Sequence, residues 1–203
     1  MNRAATKGDG RRAALLEALD HHLRDAGPGA SLDAINVADL SRRAGVTRSA
    51  FYFYFDNKAA AVAALMEEMY DDAWDAAELD GDDDEGMQLR VTSAIRAIFR
   101  GWSHRTHIYR AMLEARAGNP AVREQWDSFQ ESFVVVLAAV IEGERTAGVA
   151  PAGADPTAIA TALLDLNDRT LERLVHAPAD FDWDRHVEAV VHIWLSSIYG
   201  RTA

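Results

Sequence analysis

The sequence predicts an all-α protein, with a small helical head at the N-terminus and a larger helical body behind it. Three observations carry this. Apolar residues recur at helical steps along most of the chain, and no apolar/polar alternation survives over six residues, so no strand is expected. Glycine and proline punctuate the pattern at Gly27-Pro28-Gly29, Gly45, Gly118-Asn119-Pro120, Gly148 and Pro151-Ala152-Gly153. The charge also divides. Residues 1–58 carry nine Lys/Arg against seven Asp/Glu, a balance of +2, whereas 59–203 carry twelve against twenty-five, a balance of −13, within a total of −11.

Met1 to Gly10 is polar and glycine-containing, and is expected to stay disordered until it meets a partner. Arg3, Lys7, Arg11 and Arg12 make it a candidate arm for a phosphate backbone, and a frayed start without such a role is the favoured alternative. Residues 11 to 26 read as a helix with Leu15, Leu16, Leu19, Leu23 and Ala26 on one face, closed by Gly27. Asn36 reads as the N-cap of a short helix, with Asp39 in its first turn and Val37, Leu40 and Ala44 on its inner face. Gly45 turns the chain at no steric cost. Thr47 is a second N-cap, and Arg48 to Phe55 form a second short helix with Phe51 and Phe55 inward. Helix, tight glycine turn, helix is the helix-turn-helix layout, whose second helix can enter a major groove.

A long helix over 58–79 follows, with Val62, Leu65, Met66, Met69, Ala73 and Ala76 on one stripe and Asp56 as its cap residue. Asp80-Gly81-Asp82-Asp83-Asp84-Glu85-Gly86 reads as a solvated acidic loop, because its spacing lacks the alternating ligands of a calcium loop. In the body, Val91, Ile95, Ile98 and Trp102 form one stripe. Residues 106–117 form a short helix. Val122, Trp126, Phe129, Phe133, Val136 and Val140 form the most regular stripe of the chain. Asp155-Pro156 is a cap and first-turn pair opening a helix to about Val175. The last helix runs over 183–199, with Val187, Val190, Val191, Trp194, Leu195 and Ile198 apolar.

Gly45-Val46-Thr47-Arg48-Ser49-Ala50-Phe51-Tyr52-Phe53-Tyr54-Phe55-Asp56-Asn57-Lys58 resembles the recognition-helix signature of TetR-type repressors, which couples turn, cap, aromatic run and trailing lysine at fixed offsets. Three further stretches, Ala138 to Arg145, Asn167-Asp168-Arg169-Thr170-Leu171 and Val191 to Gly200, resemble one branch of that family, the ethionamide-resistance (EthR) repressors. The resemblance implies a TetR-like architecture. Residues 1–58 are then the arm and helix-turn-helix DNA-binding domain, and 59–203 the ligand-binding and dimerisation domain. It also implies a homodimer through the last two long helices.

Thr47, Arg48 and Ser49 begin the recognition helix, where base edges come within reach, and Arg48 can donate bidentately to guanine. By their places in the family motif, Ala50 touches a thymine methyl, and Tyr52, Tyr54 and Lys58 reach phosphates and the groove wall. In the body, Ile98, Trp102, Trp126, Phe129, Phe133, Leu171 and Trp194 sit on apolar stripes. Asn167 shares its face with Leu164, Leu171 and Leu174, where an amide needs a hydrogen-bond partner. In the EthR branch, an Asn at the Asn167 position and a Trp at the Trp194 position line an apolar ligand tunnel. Leu164 and Gln130 depart from the branch's pattern, which leaves the ligand's identity open.

Several classes are disfavoured. There is no cysteine, so no disulfide or thiolate metal site exists. No run of ~18 apolar residues occurs and the N-terminus has no signal-peptide core, so a soluble cytoplasmic protein is expected. His104 and His107, with Glu114 downstream, do not form the His-Glu-x-x-His pattern. Ser196-Ser197 lacks a nucleophile elbow, and His21-His22 reads as solvated on an amphipathic helix. No enzyme activity, cofactor or metal is expected. The expected partners are a pseudo-palindromic DNA operator, a small hydrophobic ligand and a second copy of the chain. The reading is thus a ligand-responsive repressor. The alternative is a helical small-molecule or lipid carrier without specific DNA binding, and specific operator binding separates the two.

Overall fold

The computed structural model describes residues 7–27, 31–77, 86–178 and 180–200, the side chains of 7–9 and 69–77 excepted. Within these residues the chain is helical throughout: α1 Lys7–Ala26, α2 Val37–Arg43, α3 Arg48–Tyr54, α4 Lys58–Ala77, α5 Met87–His104, α6 Thr106–Gly118, α7 Pro120–Thr146, α8 Pro156–Leu174 and α9 Trp183–Tyr199. A single 3₁₀ turn, Leu32–Ala34, precedes α2. The acidic stretch 80–85 and residues 1–6 of the candidate arm lie outside the described residues.

The predicted caps are made. Asn36 Oδ1 accepts from the N–H groups of Ala38 at 2.9 Å and Asp39 at 3.4 Å. Thr47 Oγ1 accepts from the Ala50 N–H at 3.2 Å. Asp155 Oδ1 accepts from the Ala158 N–H at 2.9 Å, with Pro156 in the first turn. Gly45 sits at φ 67°, in the left-handed region where a Cβ is costly, and this lets α3 follow α2 after so short a turn.

Four details differ from expectation. First, α1 begins at Lys7, four residues before the expected start, so Lys7 to Gly10 is helical. Gly8, Asp9 and Gly10 are poor helix formers, and the regular apolar face starts only after them. Second, α4 is capped by Asn57, not Asp56: Asn57 Oδ1 accepts from the Ala60 N–H at 2.9 Å. Third, Phe99, fully buried, replaces the half-buried Ile98 in the inner row of α5. Fourth, α7 buries Val122, Trp126, Val134 and Ile141, while Phe129, Phe133, Val136 and Val140 are half-buried. The apolar stripe of α7 is wider than one row, and packing neighbours decide which row is covered.

The chain divides into two compact units. One comprises residues 1–71 with 105–123, the other 72–104 with 124–203. This cut differs from the functional boundary expected at 58/59, because α6 and the first part of α4 go with the head. In the first unit, Leu15, Leu16, Leu19 and Leu23 of α1, Ile35, Leu40 of α2, Phe51 of α3, Phe55 and Val62 of α4 are all buried. Helix α6 packs on α1 and on the 3₁₀ turn. In the second unit, α9 packs on both α5 and α8, burying Val187, Val190, Val191, Trp194 and Ile198.

Candidate nucleic-acid interface and effector site

Helix α3 has seven residues, so its geometry is set by its two ends and one buried side chain. Thr47 holds the first turn. Phe51 is 1 % exposed and its ring packs against Phe55 at 5.4 Å between centroids. With that face inward, Arg48, Ser49, Tyr52 and Phe53 are exposed, and Ala50 and Tyr54 are half-buried. The exposed side chains form two i,i+4 rows, Arg48 with Tyr52 and Ser49 with Phe53. The Arg48 guanidinium carbon lies 5.7 Å from the Tyr52 ring centroid, a cation–π arrangement that restrains the arginine on the helix surface. Thr47 Oγ1 and Ser49 Oγ are 2.9 Å apart. The sequence thus places Thr47, Arg48, Ser49 and Tyr52 together on one outer surface, with Ala50 and Tyr54 at its rim.

Lys58 has a different occupation. Its Nζ donates to the carbonyls of Leu32 and Asp33, at 3.0 Å each. The same 3₁₀ turn is held at its other end by Glu114 of α6. Glu114 Oε1 accepts from Ser31 Oγ at 2.8 Å, and Oε2 from the Leu32 N–H at 3.0 Å. The turn that delivers the chain to Asn36 is therefore gripped by an ammonium from α4 and a carboxylate from α6. His107, at the start of α6, meets Asp20 of α1, with Nε2 and Oδ1 2.5 Å apart. His107 and Glu114 thus have packing roles, and sequence spacing gave no signal of the grip. Among the described residues, no group of three or more metal-ligating side chains is assembled.

In the second unit, Asn167 is 8 % exposed and Trp194 6 %. Trp194 Nε1 donates to Asn167 Oδ1 at 3.0 Å. Indole N–H is only a donor, so the amide must present its oxygen there, and its NH₂ points elsewhere. The inner neighbour of Asn167 one turn earlier is Leu163, buried, rather than the half-buried Leu164. Trp102, Trp126 and Leu171 are buried as well, and Ile98, Phe129 and Phe133 are half-buried.

A separate groove of about 340 Å³ runs between α5 and the start of α9, lined by Arg96, Arg100, Ser103, Trp183, Asp184 and Glu188 among others. None of the ligand-site residues selected from the sequence lines it. Arg96 bridges it with a two-pronged contact to Glu188, 2.8 Å on each prong. That hydrogen bond holds the Glu188 carboxyl below its usual range. Near the end of α9, burial and the neighbouring Glu144 push the Tyr199 phenol up.

Comparison with known proteins finds matches toward both ends of the chain. Residues 30–65 match the tetR family of bacterial regulatory proteins, and residues 91–200 match the C-terminal domain of the transcriptional regulator EthR. The chain is 34 % identical over 202 residues to the HTH-type transcriptional regulator EthR of Mycobacterium tuberculosis (strain CDC 1551 / Oshkosh), covering 97 % of this chain and 91 % of that protein. It is 30 % identical over 205 residues to EthR of Mycolicibacterium smegmatis, covering 97 % and 90 %. A similar solved structure is that of the transcriptional regulator FadR from Bacillus subtilis in complex with stearoyl-CoA. Its TM-score is 0.73 at 17 % identity, covering 93 % of this chain and 98 % of that one, a likeness of fold. Among the described residues, no helix is long and apolar enough to cross a membrane.

Proposed function

The chain belongs to the TetR family of bacterial regulators, with an EthR-type C-terminal domain, and on that premise we propose a repressor that leaves its operator when a small, mainly apolar molecule enters the body. The observation that carries the DNA half is the outer face of α3, where Arg48, Ser49 and Tyr52 stand exposed behind the Thr47 cap. Arg48, restrained over Tyr52, reads guanine, and Tyr52 and Tyr54 reach the sugar-phosphate wall. Ala50 meets the groove from the rim. Lys58 acts chiefly by fixing the turn ahead of α2, with its third N–H left for a phosphate. The site of action is the cytoplasm, where the operator is.

The effector is held around Asn167 and Trp194, with Ile98, Trp102, Trp126, Phe129, Phe133 and Leu171 as apolar lining. Asn167 Oδ1 already accepts from Trp194, so the group left to meet a ligand is the amide NH₂, a donor. The ligand then carries an acceptor such as an ester, amide or ketone oxygen on an apolar body. Helix α4 spans residues of both units and is the route by which binding repositions the head. The ligand must fit the DNA-incompetent form better, since only differential affinity shifts the equilibrium.

The dimer forms through α8 and α9. Most of the apolar face of α9 is buried within its own chain, which leaves Ala189, Ile193 and Ser197, with Ile159, Leu166 and Thr170 of α8, as the candidate partner surface. Isologous pairing gives the two-fold axis that a pseudo-palindrome needs, with half-sites about 34–36 Å or a multiple apart.

Mobility shifts on genomic fragments across a salt series test the reading. One fragment should be preferred over random DNA, and an ester or amide that changes tryptophan fluorescence should release it. Equal affinity for every fragment overturns the repressor and favours a carrier. A monomer in sedimentation at micromolar concentration overturns the dimer.

A further inference from the structure

Phe53 has no role in the operator reading, yet it is 81 % exposed, the most of any large hydrophobic side chain among the described residues. It is not a core residue left over, because Phe51 already fills the inner face of α3 at 1 % exposure. Phe53 stands one turn beyond Ser49, beside the row of Arg48 and Tyr52, so it shares the surface that faces the groove. Its ring meets the half-buried Tyr54 edge-on, at 5.0 Å between centroids and 88° between planes. The side chain is thus a braced apolar knob on a surface whose other exposed members, Thr47, Arg48, Ser49 and Tyr52, are polar or charged.

A major groove offers few partners for such a group. Phenylalanine can neither donate to a phosphate or a purine acceptor nor accept from an exocyclic amine. The apolar feature on the base edges is the C5-methyl of thymine. We propose that Phe53 is a specificity-determining residue that reads thymine by packing against this methyl. The inference rests on the operator reading above and adds to it a base that Arg48 does not select.

The test replaces thymines one at a time with deoxyuridine, symmetrically in both half-sites of an operator selected by the wild-type protein from random duplexes. Deoxyuridine keeps the pairing edge and O4 and lacks only the methyl. At one thymine position the wild type should lose about fourfold in affinity per half-site, the factor that burial of one methyl-sized group is worth. Phe53→Ala should bind the parent operator more weakly and no longer distinguish thymine from uracil at that position. Phe53→Leu, still apolar, should keep part of the discrimination. Both variants should melt with the wild type, because the side chain they alter is in solvent. An identical deoxyuridine profile in wild type and Phe53→Ala, or a loss spread evenly over all positions, overturns the inference and leaves the operator reading standing. If the wild type selects no sequence at all, both fall together.

Discussion

In α3 the aromatic side chains proposed to meet DNA point outward, and in α9 the one proposed to meet a ligand points in. Tyr52 and Phe53 are 48 % and 81 % exposed, on a helix that a threonine cap and one buried ring hold in place. Trp194 is 6 % exposed and donates its one N–H to an amide 27 residues earlier in the chain. On the proposed function the two regions face different partners. A duplex arrives from solvent and meets a surface already formed, so the interface must be exposed before binding. A small molecule must be desolvated on all sides, so its groups are buried and hydrogen-bonded before it comes. Substitutions should therefore separate affinity from stability in α3 and couple them in α8 and α9.

The largest effect is expected on the inner face of the recognition helix itself. Phe51→Ala should cost about 3–5 kcal/mol of stability, as large-to-small changes of buried aromatics do. Tyr52→Ala, one residue on, should move the melting transition by no more than about 0.5 kcal/mol while weakening operator binding. Thermal melts beside mobility shifts check the pair. A melting loss for Tyr52→Ala as large as that for Phe51→Ala would erase the contrast.

Arg48→Ala should lose about 1–3 kcal/mol of operator affinity and relax the preference at one base position. Lys58→Ala should weaken all sequences alike, through the freed 3₁₀ turn. Binding to a set of single-base operator variants reads both.

Asn167→Leu should lose on the order of 1–3 kcal/mol of stability, because the buried Trp194 N–H is left without an acceptor. The costs of Asn167→Leu and Trp194→Phe should be less than additive, because the double variant leaves no buried N–H without an acceptor. Operator affinity without ligand should stay at the wild-type level, and affinity for an ester or amide should fall. Chemical denaturation of the two single variants and the double variant provides the cycle.

The smallest effect lies at the exposed pair across α5 and α9. The Glu188 carboxyl is held below its ordinary value of 4.5 by the Arg96 hydrogen bond. A depressed carboxyl contributes stability that is present above its unfolded value and is lost as the pH falls through its folded one. Stability of the wild type and Glu188→Gln should thus differ slightly at neutral pH and converge in acid. Exposed pairs of this kind contribute little.

Much of the head was legible because its determinants are local. Asn36 and Thr47 cap helices through N–H groups two or three residues away, as Asp155 does in the body, and Gly45 supplies a left-handed turn that its neighbours cannot. The same locality fixes Phe51 inward and Arg48 outward on a seven-residue helix. What the sequence left undecided involves residues far apart in the chain. The buried row of α7 is not fixed by its broad apolar pattern. Lys58 and Glu114 meet the same 3₁₀ turn from 25 or 26 and 82 or 83 residues away. Helix α6 joins the first unit although its neighbours in sequence belong to the second. Asn167 announced that a buried amide needs a partner, but only the packing of α8 on α9 supplied Trp194. Periodicity and caps act within one helical turn, so they can be read from order alone. A hydrogen bond between distant helices depends on how those helices pack, and that is settled only when all of them have found a common core.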